Sequence, residues 1–264
     1  VSLHDWFSPL NPPVRDWHGQ RVWLVGASSG IGAALARSLL ARGARVALSA
    51  RNRDRLAGVA ARNRLALVVP MDATEPAQWQ AAHAQITAQW QGVDLVIFCS
   101  AQYQPERSWQ VKAAAVHGML LANLASVYYG IETVLPPMLE RGSGALCIVA
   151  SVAGYMGLPN ATVYGPTKAA LINLAELLYV DLRPRGVAVT LIDPGFVQTP
   201  LTAQNTFAMP ALITPEQAAE YIVSGFAAGR FEIDFPWRFT RVVRFISRLP
   251  YRLRFALLGR FLGT

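Results

Sequence analysis

Tyr164 and Lys168 stand four residues apart in the stretch "VYGPTKAAL". On a helix that spacing puts both side chains on one face, phenol beside ammonium. A free phenol, with a pKa of about 10, is a usable acid and a poor base at neutral pH. A neighbouring ammonium favours the phenolate and draws that pKa toward the working range. Ser151 lies thirteen residues before Tyr164, and a hydroxyl there can donate to an oxygen as negative charge grows on it. Together the three types suit proton transfer at an oxygen whose charge changes during reaction. Pro166, inside the Tyr-x-x-x-Lys spacing, is costly in a helix interior, so the helix is predicted to begin only just before it.

A second group could hold a phosphate. "WLVGASSGIGAAL" sets Gly26, Gly30 and Gly32, with Ser28, Ser29 and Ile31 between them, where an apolar run gives way to a helical pattern. Glycine admits positive φ and lets backbone approach an anion without a Cβ clash, while the helix N-terminus offers unpaired N–H groups. Strand, glycine loop and helix in that order are the context a dinucleotide site requires. The next apolar run continues as "ARVALSARNRDRL". A site for NAD tends to end this strand in Asp or Glu, but Ala50 stands here, followed by Arg51 and Arg53. A carboxylate repels a 2′-phosphate and a guanidinium clamps it. The expected cofactor is therefore NADP(H), with Arg51 as its main discriminating contact.

The G-x-x-x-G-x-G spacing, with Ser151 and Tyr164-x-x-x-Lys168, resembles the short-chain dehydrogenase/reductase family, and the likeness extends from about residue 20 to 235. The resemblance implies hydride exchange between a nicotinamide and a carbonyl or secondary alcohol. Tyr164 would serve as acid/base, Ser151 as donor to the substrate oxygen, and Lys168 as partner of the phenol and of the cofactor's ribose hydroxyls. It also implies that Asn123 positions a water leading from Lys168 to solvent and that Asp72 meets the adenine. Ala101 should line the cofactor site, and Pro194, Gly195, Val197 and Thr199 should orient the nicotinamide. Two departures stand out. The family usually has Thr where this chain has Val25, and Asn-Asn-Ala-Gly where it has Cys99, Ser100, Ala101 and Gln102, so this last loop needs other supports.

These residues need a scaffold. Apolar runs alternate with helical stretches along the whole chain, including helices near 109–136, 162–183 and 215–228. Continuous apolar strands are covered on both faces, which predicts an α/β fold: one doubly wound parallel, Rossmann-like sheet with helices on both sides. Residues 1–18 read as an N-terminal arm, 19–235 as the catalytic domain and 236–264 as an appendage. A lid is expected after the sixth strand, with Leu201, Phe207, Met209 and Leu212 as its apolar inner face, which suits a lipophilic carbonyl or alcohol. A homodimer or homotetramer through the 109–136 and 162–183 helices is implied by the family. The rival activities are 3-oxoacyl reduction on a carrier or coenzyme A, and a non-catalytic nucleotide sensor or scaffold.

Of the net charge of +8, seven arginines fall in residues 236–264, which hold no Asp or Glu; the remaining 17 Lys and Arg against 16 Asp and Glu leave a nearly neutral body. Basicity this local argues against nucleic acid as a partner. In "RFTRVVRFISRLPYRLRF" a helical wheel sets Arg238, Arg241, Arg244 and Arg248 on one side and Phe239, Val242, Val243, Ile246 and Leu249 largely opposite. Pro250 should end that helix before a second, more apolar one. An anionic membrane surface is the expected partner, ahead of the protein's own body or a second subunit, and of an acidic protein. Cys99 and Cys147 lack CxxC spacing and are expected as buried free thiols in a reducing compartment. His4, His18, His83 and His117 show no metal-ligand spacing, so no catalytic metal is expected. The opening residues have neither the charged start nor the apolar stretch of a signal peptide. A cytoplasmic protein, peripheral at the inner face of a membrane, is the expectation.

Overall fold

The computed structural model describes residues 8–262, the last three by backbone alone. The outer part of the expected arm, with His4, lies outside the described residues. Seven strands form one wholly parallel sheet: β1 (Arg21–Val25), β2 (Arg45–Ser49), β3 (Ala66–Val68), β4 (Leu95–Phe98), β5 (Gly144–Val149), β6 (Val187–Pro194) and β7 (Glu232–Phe235). Their order is 3-2-1-4-5-6-7, so the chain reverses direction across the sheet between β1 and β4. That switch leaves a crevice beyond the strand C-termini, where ligands bind in open α/β sheets. The helices are α1 (Gly30–Ala41), α2 (Arg53–Ala60), α3 (Pro76–Trp90), α4 (Ala113–Leu120), α5 (Ser126–Arg141), α6 (Tyr164–Leu182), α7 (Pro215–Ala227), α8 (Trp237–Ser247) and α9 (Tyr251–Leu262).

Alternate strand residues feed two cores, as the two-residue period of a strand demands. Val22, Leu24, Ile97, Cys147 and Val149 join α1, α2 and α7 on one face. Trp23, Val25, Val96, Phe98, Leu146 and Ile148 join α3, α5 and α6 on the other. Each such Leu, Ile or Phe contributes roughly 1.5–3 kcal/mol relative to exposure. At the start of the sheet Arg21 grips Asp94 with two guanidinium bonds, at 2.9 and 2.5 Å, tying β1 to β4.

The predicted helix near 109–136 starts later and runs on to Arg141. One π-type turn at Leu121–Ala125 joins α4 to α5. Together they have the length and hydropathy of a membrane span, yet Val127, Val134 and Met138 are buried against the sheet. Helix α6 begins at Tyr164, which places Pro166 in the first turn, where its missing N–H leaves no bond unmade. Helix α7 is fixed by a capping box between Thr214 and Gln217.

The described part of the N-terminal arm is stitched to the body. Asn11 is buried and its side-chain amide donates to the backbone oxygens of Val189 and Arg230, while Trp17 meets Phe226 edge-on at 5.5 Å.

The tail differs from its helical wheel. Phe239, Val243 and Ile246 of α8, with Leu258 of α9, pack on Val152, Tyr155, Met156 and Leu158. Arg244, grouped with the other arginines on the wheel, turns inward and pairs with Glu232, while Val242, grouped with the apolar side, faces out. The cause is Glu232 on β7, whose carboxylate lies beneath α8 and is matched by Arg244. The two chain ends of α8 also differ: Pro250 ends it as expected, and Thr240 Oγ1 bonds Asp234 near its start.

Candidate active site

The β1–α1 loop is built by close backbone contact. Gly26 has φ +94° and its N–H, with that of Ala27, donates to Ser49 O at 2.8 and 3.1 Å. A Cβ on Gly26 would meet Ser100 N at 2.5 Å, and one on Gly32 would meet Gly26 O at 2.2 Å. Ser29 caps α1 by backbone only, with no side-chain cap and no acidic residue in the first turn. The helix therefore presents a positive, uncapped N-terminus to the crevice. Val25 is buried and offers the loop no hydroxyl, and the two bonds to Ser49 O do the bracing.

A cleft of about 300 Å³ runs from this loop across the strand ends. Gly26, Ser28, Ser29, Gly30, Ile31 and Gly32 line one stretch of it, Arg51 and Asp72 one end, and Ser151, Tyr164 and Lys168 the other. Ala101, Pro194, Gly195, Val197, Thr199 and Leu201 complete the wall. Ala50 leaves the end of β2 without a carboxylate. Arg51 is exposed beside it, with no hydrogen-bond or ion-pair partner among the described residues. Asp72 Oδ1 accepts from Thr74 N and Oγ1, which fixes the direction of its carboxylate.

Lys168 is 1% exposed, and its Nζ donates to Val149 O at 2.8 Å while lying 5.5 Å from the centre of the Tyr164 ring. Burial pulls its pKa down to about 8, against the opposing influence of Cys99 and Asp193. Ser151 follows β5 and opens a 3-10 turn; its Oγ accepts from Ala153 N and donates to Pro194 O at 3.4 Å. The expected fall in the Tyr164 pKa does not occur in the protein alone. Burial pushes it up, with a Ser151 hydrogen bond opposing. The ammonium lies over the ring face and is tethered to Val149 O, so its pull on the phenol oxygen is weak. Tyr164 thus holds its proton, the form required of a donor.

Asn123 is fully buried inside the π-type turn. Its Oδ1 accepts from Gln102 N at 2.6 Å and its Nδ2 donates to Gln102 O at 2.8 Å and Thr167 Oγ1 at 3.3 Å. This is the support the altered Cys99–Gln102 loop needed, and Gln102 is spared a positive φ. Cys147 is buried as expected; Cys99 is only partly so and lines the cleft, though its sulfur is set deep enough that burial pushes the thiol up to about 11, against the opposing pull of Lys168.

The expected lid leaves and returns through the paired backbones of Val197 and Ile213. Leu201 faces the cleft, but Phe207 packs edge-on against Phe196 at 5.9 Å and Leu212 is 43% exposed. Met209 sits beside Asn205, whose Nδ2 bonds its sulfur. Sequence reasoning missed Tyr103. Its ring meets Tyr164 edge-on at 5.0 Å and its hydroxyl donates to Asn205 Oδ1 at 2.9 Å, linking lid to phenol. It also missed a polar cluster behind the phenol: Asp193 on β6, with Tyr155 donating to Glu232 at 2.7 Å and Arg244 reaching both. Burial first, and Glu232 second, hold the Asp193 carboxyl well above the usual range. The available signal was a carboxylate inside each of two apolar strand runs, "LIDP" and "FEIDF".

The profile of the family described as short chain dehydrogenase matches residues 20–209. The chain belongs to that family. A Myxococcus xanthus protein, named as an uncharacterized oxidoreductase, is 35% identical over 231 residues, covering 86% of this chain and 91% of its own. A Staphylococcus aureus protein, also named as an uncharacterized oxidoreductase, is 33% identical over 204 residues, covering 76% of this chain and 87% of its own. Among solved structures, a short chain dehydrogenase/reductase from Burkholderia phymatum in complex with NAD superposes with a TM-score of 0.80 at 23% identity, over 88% of this chain and 94% of that one. A short-chain dehydrogenase from Streptomyces avermitilis gives 0.76 at 22% identity, over 86% and 92%. This short-chain dehydrogenase is an oxidoreductase with the sheet order and helical layers expected of it.

Proposed function

We propose that the protein is an NADP(H)-dependent reductase of lipophilic carbonyl compounds, also competent to oxidise the matching secondary alcohols. The observation that carries this reading is the convergence of Ser151, Tyr164 and Lys168 at one end of a cleft whose other end holds Arg51, exposed and without a partner among the described residues. The residues fit a dinucleotide: a glycine cradle that any Cβ would fill, an uncapped helix N-terminus for a pyrophosphate, and a free guanidinium where a 2′-phosphate would lie. Gly26 to Gly32 would hold the pyrophosphate, Arg51 the 2′-phosphate and Asp72 the adenine. Lys168 would hold ribose hydroxyls, and Ala101, Pro194, Gly195, Val197 and Thr199 the nicotinamide half. When bound, the reduced nicotinamide supplies two electrons and one hydrogen to the carbonyl carbon.

The chain's own residues manage the oxygen. Ser151 Oγ turns from Pro194 O, a long bond that is cheap to give up, and donates to the carbonyl oxygen. Tyr164 then gives its phenolic proton to that oxygen as negative charge develops, and the alcohol leaves. The proton given up by Tyr164 is restored from solvent after the alcohol leaves, and Lys168 keeps a buried cation against the ring face. Leu201 gives the substrate end of the cleft an apolar wall, and the Phe196–Phe207 ring contact ties the neighbouring lid segment to the body, which supports a lipophilic substrate.

The cofactor half is tested by Arg51→Asp. The expected outcome is a KM for NADPH raised by roughly 10- to 100-fold, with that for NADH raised far less or lowered. Equal effects on both cofactors would remove Arg51 from the role. We also infer self-association through the outward faces of α5 and α6, where Tyr128, Leu177 and Val180 are exposed.

A further inference from the structure

Helix α8 has two faces and the protein's body uses only one. Phe239, Thr240, Val243 and Ile246 turn inward, held in register by the Arg244–Glu232 pair. On the other side Val242 and Phe245 are 56% and 65% exposed beside Trp237. Helix α9 folds back until Leu258 joins the same inner cluster, and leaves Leu253 and Phe255 56% and 62% exposed. Apolar side chains of this size, grouped on two neighbouring helices, are uncommon on a surface with no partner.

The charges between them point to the occupant. Arg238, Arg241, Arg248 and Arg252 are exposed and have no carboxylate partner among the described residues, and residues 236–264 contain no acidic side chain at all. The guanidiniums of Arg238 and Arg241 stack on the Trp237 ring at 5.3 and 5.0 Å, so cation and aromatic are presented as a unit. A second copy of this chain is a poor match, because a two-fold contact would set this uncompensated positive face against itself. An anionic bilayer matches both features: acyl chains for Val242, Phe245, Leu253 and Phe255, and headgroup phosphates for the arginines.

We propose that the outward face of α8 and α9 is a docking surface for an anionic lipid membrane, and that Arg244 locks this face in orientation relative to the cleft. The lock has a consequence for the site. Phe239 packs on Phe196 at 5.5 Å, and Phe196 on Phe207 of the lid, so a docked α8 brings the lid to the bilayer, where lipophilic compounds are concentrated.

Docking does not depend on the reductase reading and is measured without substrate. Full-length protein is sedimented with vesicles of phosphatidylcholine doped with phosphatidylglycerol, and with phosphatidylcholine alone. Binding to the anionic vesicles only, weakened by salt, is the expected result. Arg241→Gln with Arg248→Gln should lower the partition coefficient by roughly 30-fold, and Phe245→Ser should lower it by about 10-fold. All three positions are exposed, so the variants should keep the unfolding midpoint of the parent. Equal binding to neutral vesicles, or none to anionic ones, overturns the proposal. So does a Phe245→Ser variant that changes the oligomeric mass in light scattering while leaving vesicle binding intact, since the face would then join copies of the chain.

Discussion

Lys168 shows what one buried amine costs in stability. Its pKa is about 8 in the fold and 10.5 in an unfolded chain. Between those values the unfolded state binds more protons, so stability rises with pH across the window and the penalty is complete below about 8. The unfolding free energy of the native protein minus that of Lys168→Met should therefore climb by on the order of 3 kcal/mol between about pH 8 and pH 10.5. Urea titrations at the two ends measure it, and a flat difference would show that the amine is better solvated than its 1% exposure implies. Tyr103 makes a second residue-scale case. Removing its hydroxyl in Tyr103→Phe cuts the tie to Asn205. The expected effect is a several-fold rise in KM for the carbonyl substrate with kcat for a small water-soluble ketone nearly unchanged. A proportional fall in kcat for every substrate would place Tyr103 in the proton transfer itself.

At the scale of elements, close packing decides what the glycine loop tolerates. Gly32→Ala forces a methyl onto Gly26 O at 2.2 Å, so backbone must move, at a cost of about 1–3 kcal/mol seen as a lowered thermal midpoint. Affinity for NADPH should fall with it; an alanine variant with native midpoint and native affinity would mean that α1 can slide away from β1. The loop, the strands and the start of α6 were legible in the sequence because each is a local matter: apolar period, glycine spacing, and Pro166 fixing the first helical turn. Tyr164, Lys168 and Ser151 were singled out by their likeness to a family pattern, and the fold brings all three to one cleft. What was not legible depends on contacts between distant segments. The rotation of α8 follows from Glu232 beneath it, and no helical wheel contains a carboxylate from a neighbouring strand. Asn123 looked like a water-positioning residue, and the structure shows it bonded to both backbone groups of Gln102, which is visible only when two segments 21 residues apart are brought together. The lid's inner face was read from composition, and Leu212 points away because the loop's return at Ile213 sets its direction.

The whole molecule is a neutral sheet-and-helix body with an apolar, exposed flank and a basic end. The flank on α5 and α6 should hold copies together, so Val180→Asp, at a residue 71% exposed and free of the cleft, should lower the mass in light scattering without changing the unfolding midpoint of the subunit. Unchanged mass would move the interface elsewhere. The basic end and the cleft share α8, whose Arg244 reaches the cluster behind the phenol, so body and tail are one mechanical unit. The proposed reaction turns on a single event, the passage of a proton from Tyr164 to a substrate oxygen. The most direct test is the rate of NADPH oxidation with a panel of lipophilic ketones, native protein against Tyr164→Phe, with NADPH affinity measured in parallel. Loss of at least ~100-fold in kcat with affinity nearly unchanged is the expected result. A phenylalanine variant that keeps a rate close to native contradicts the account.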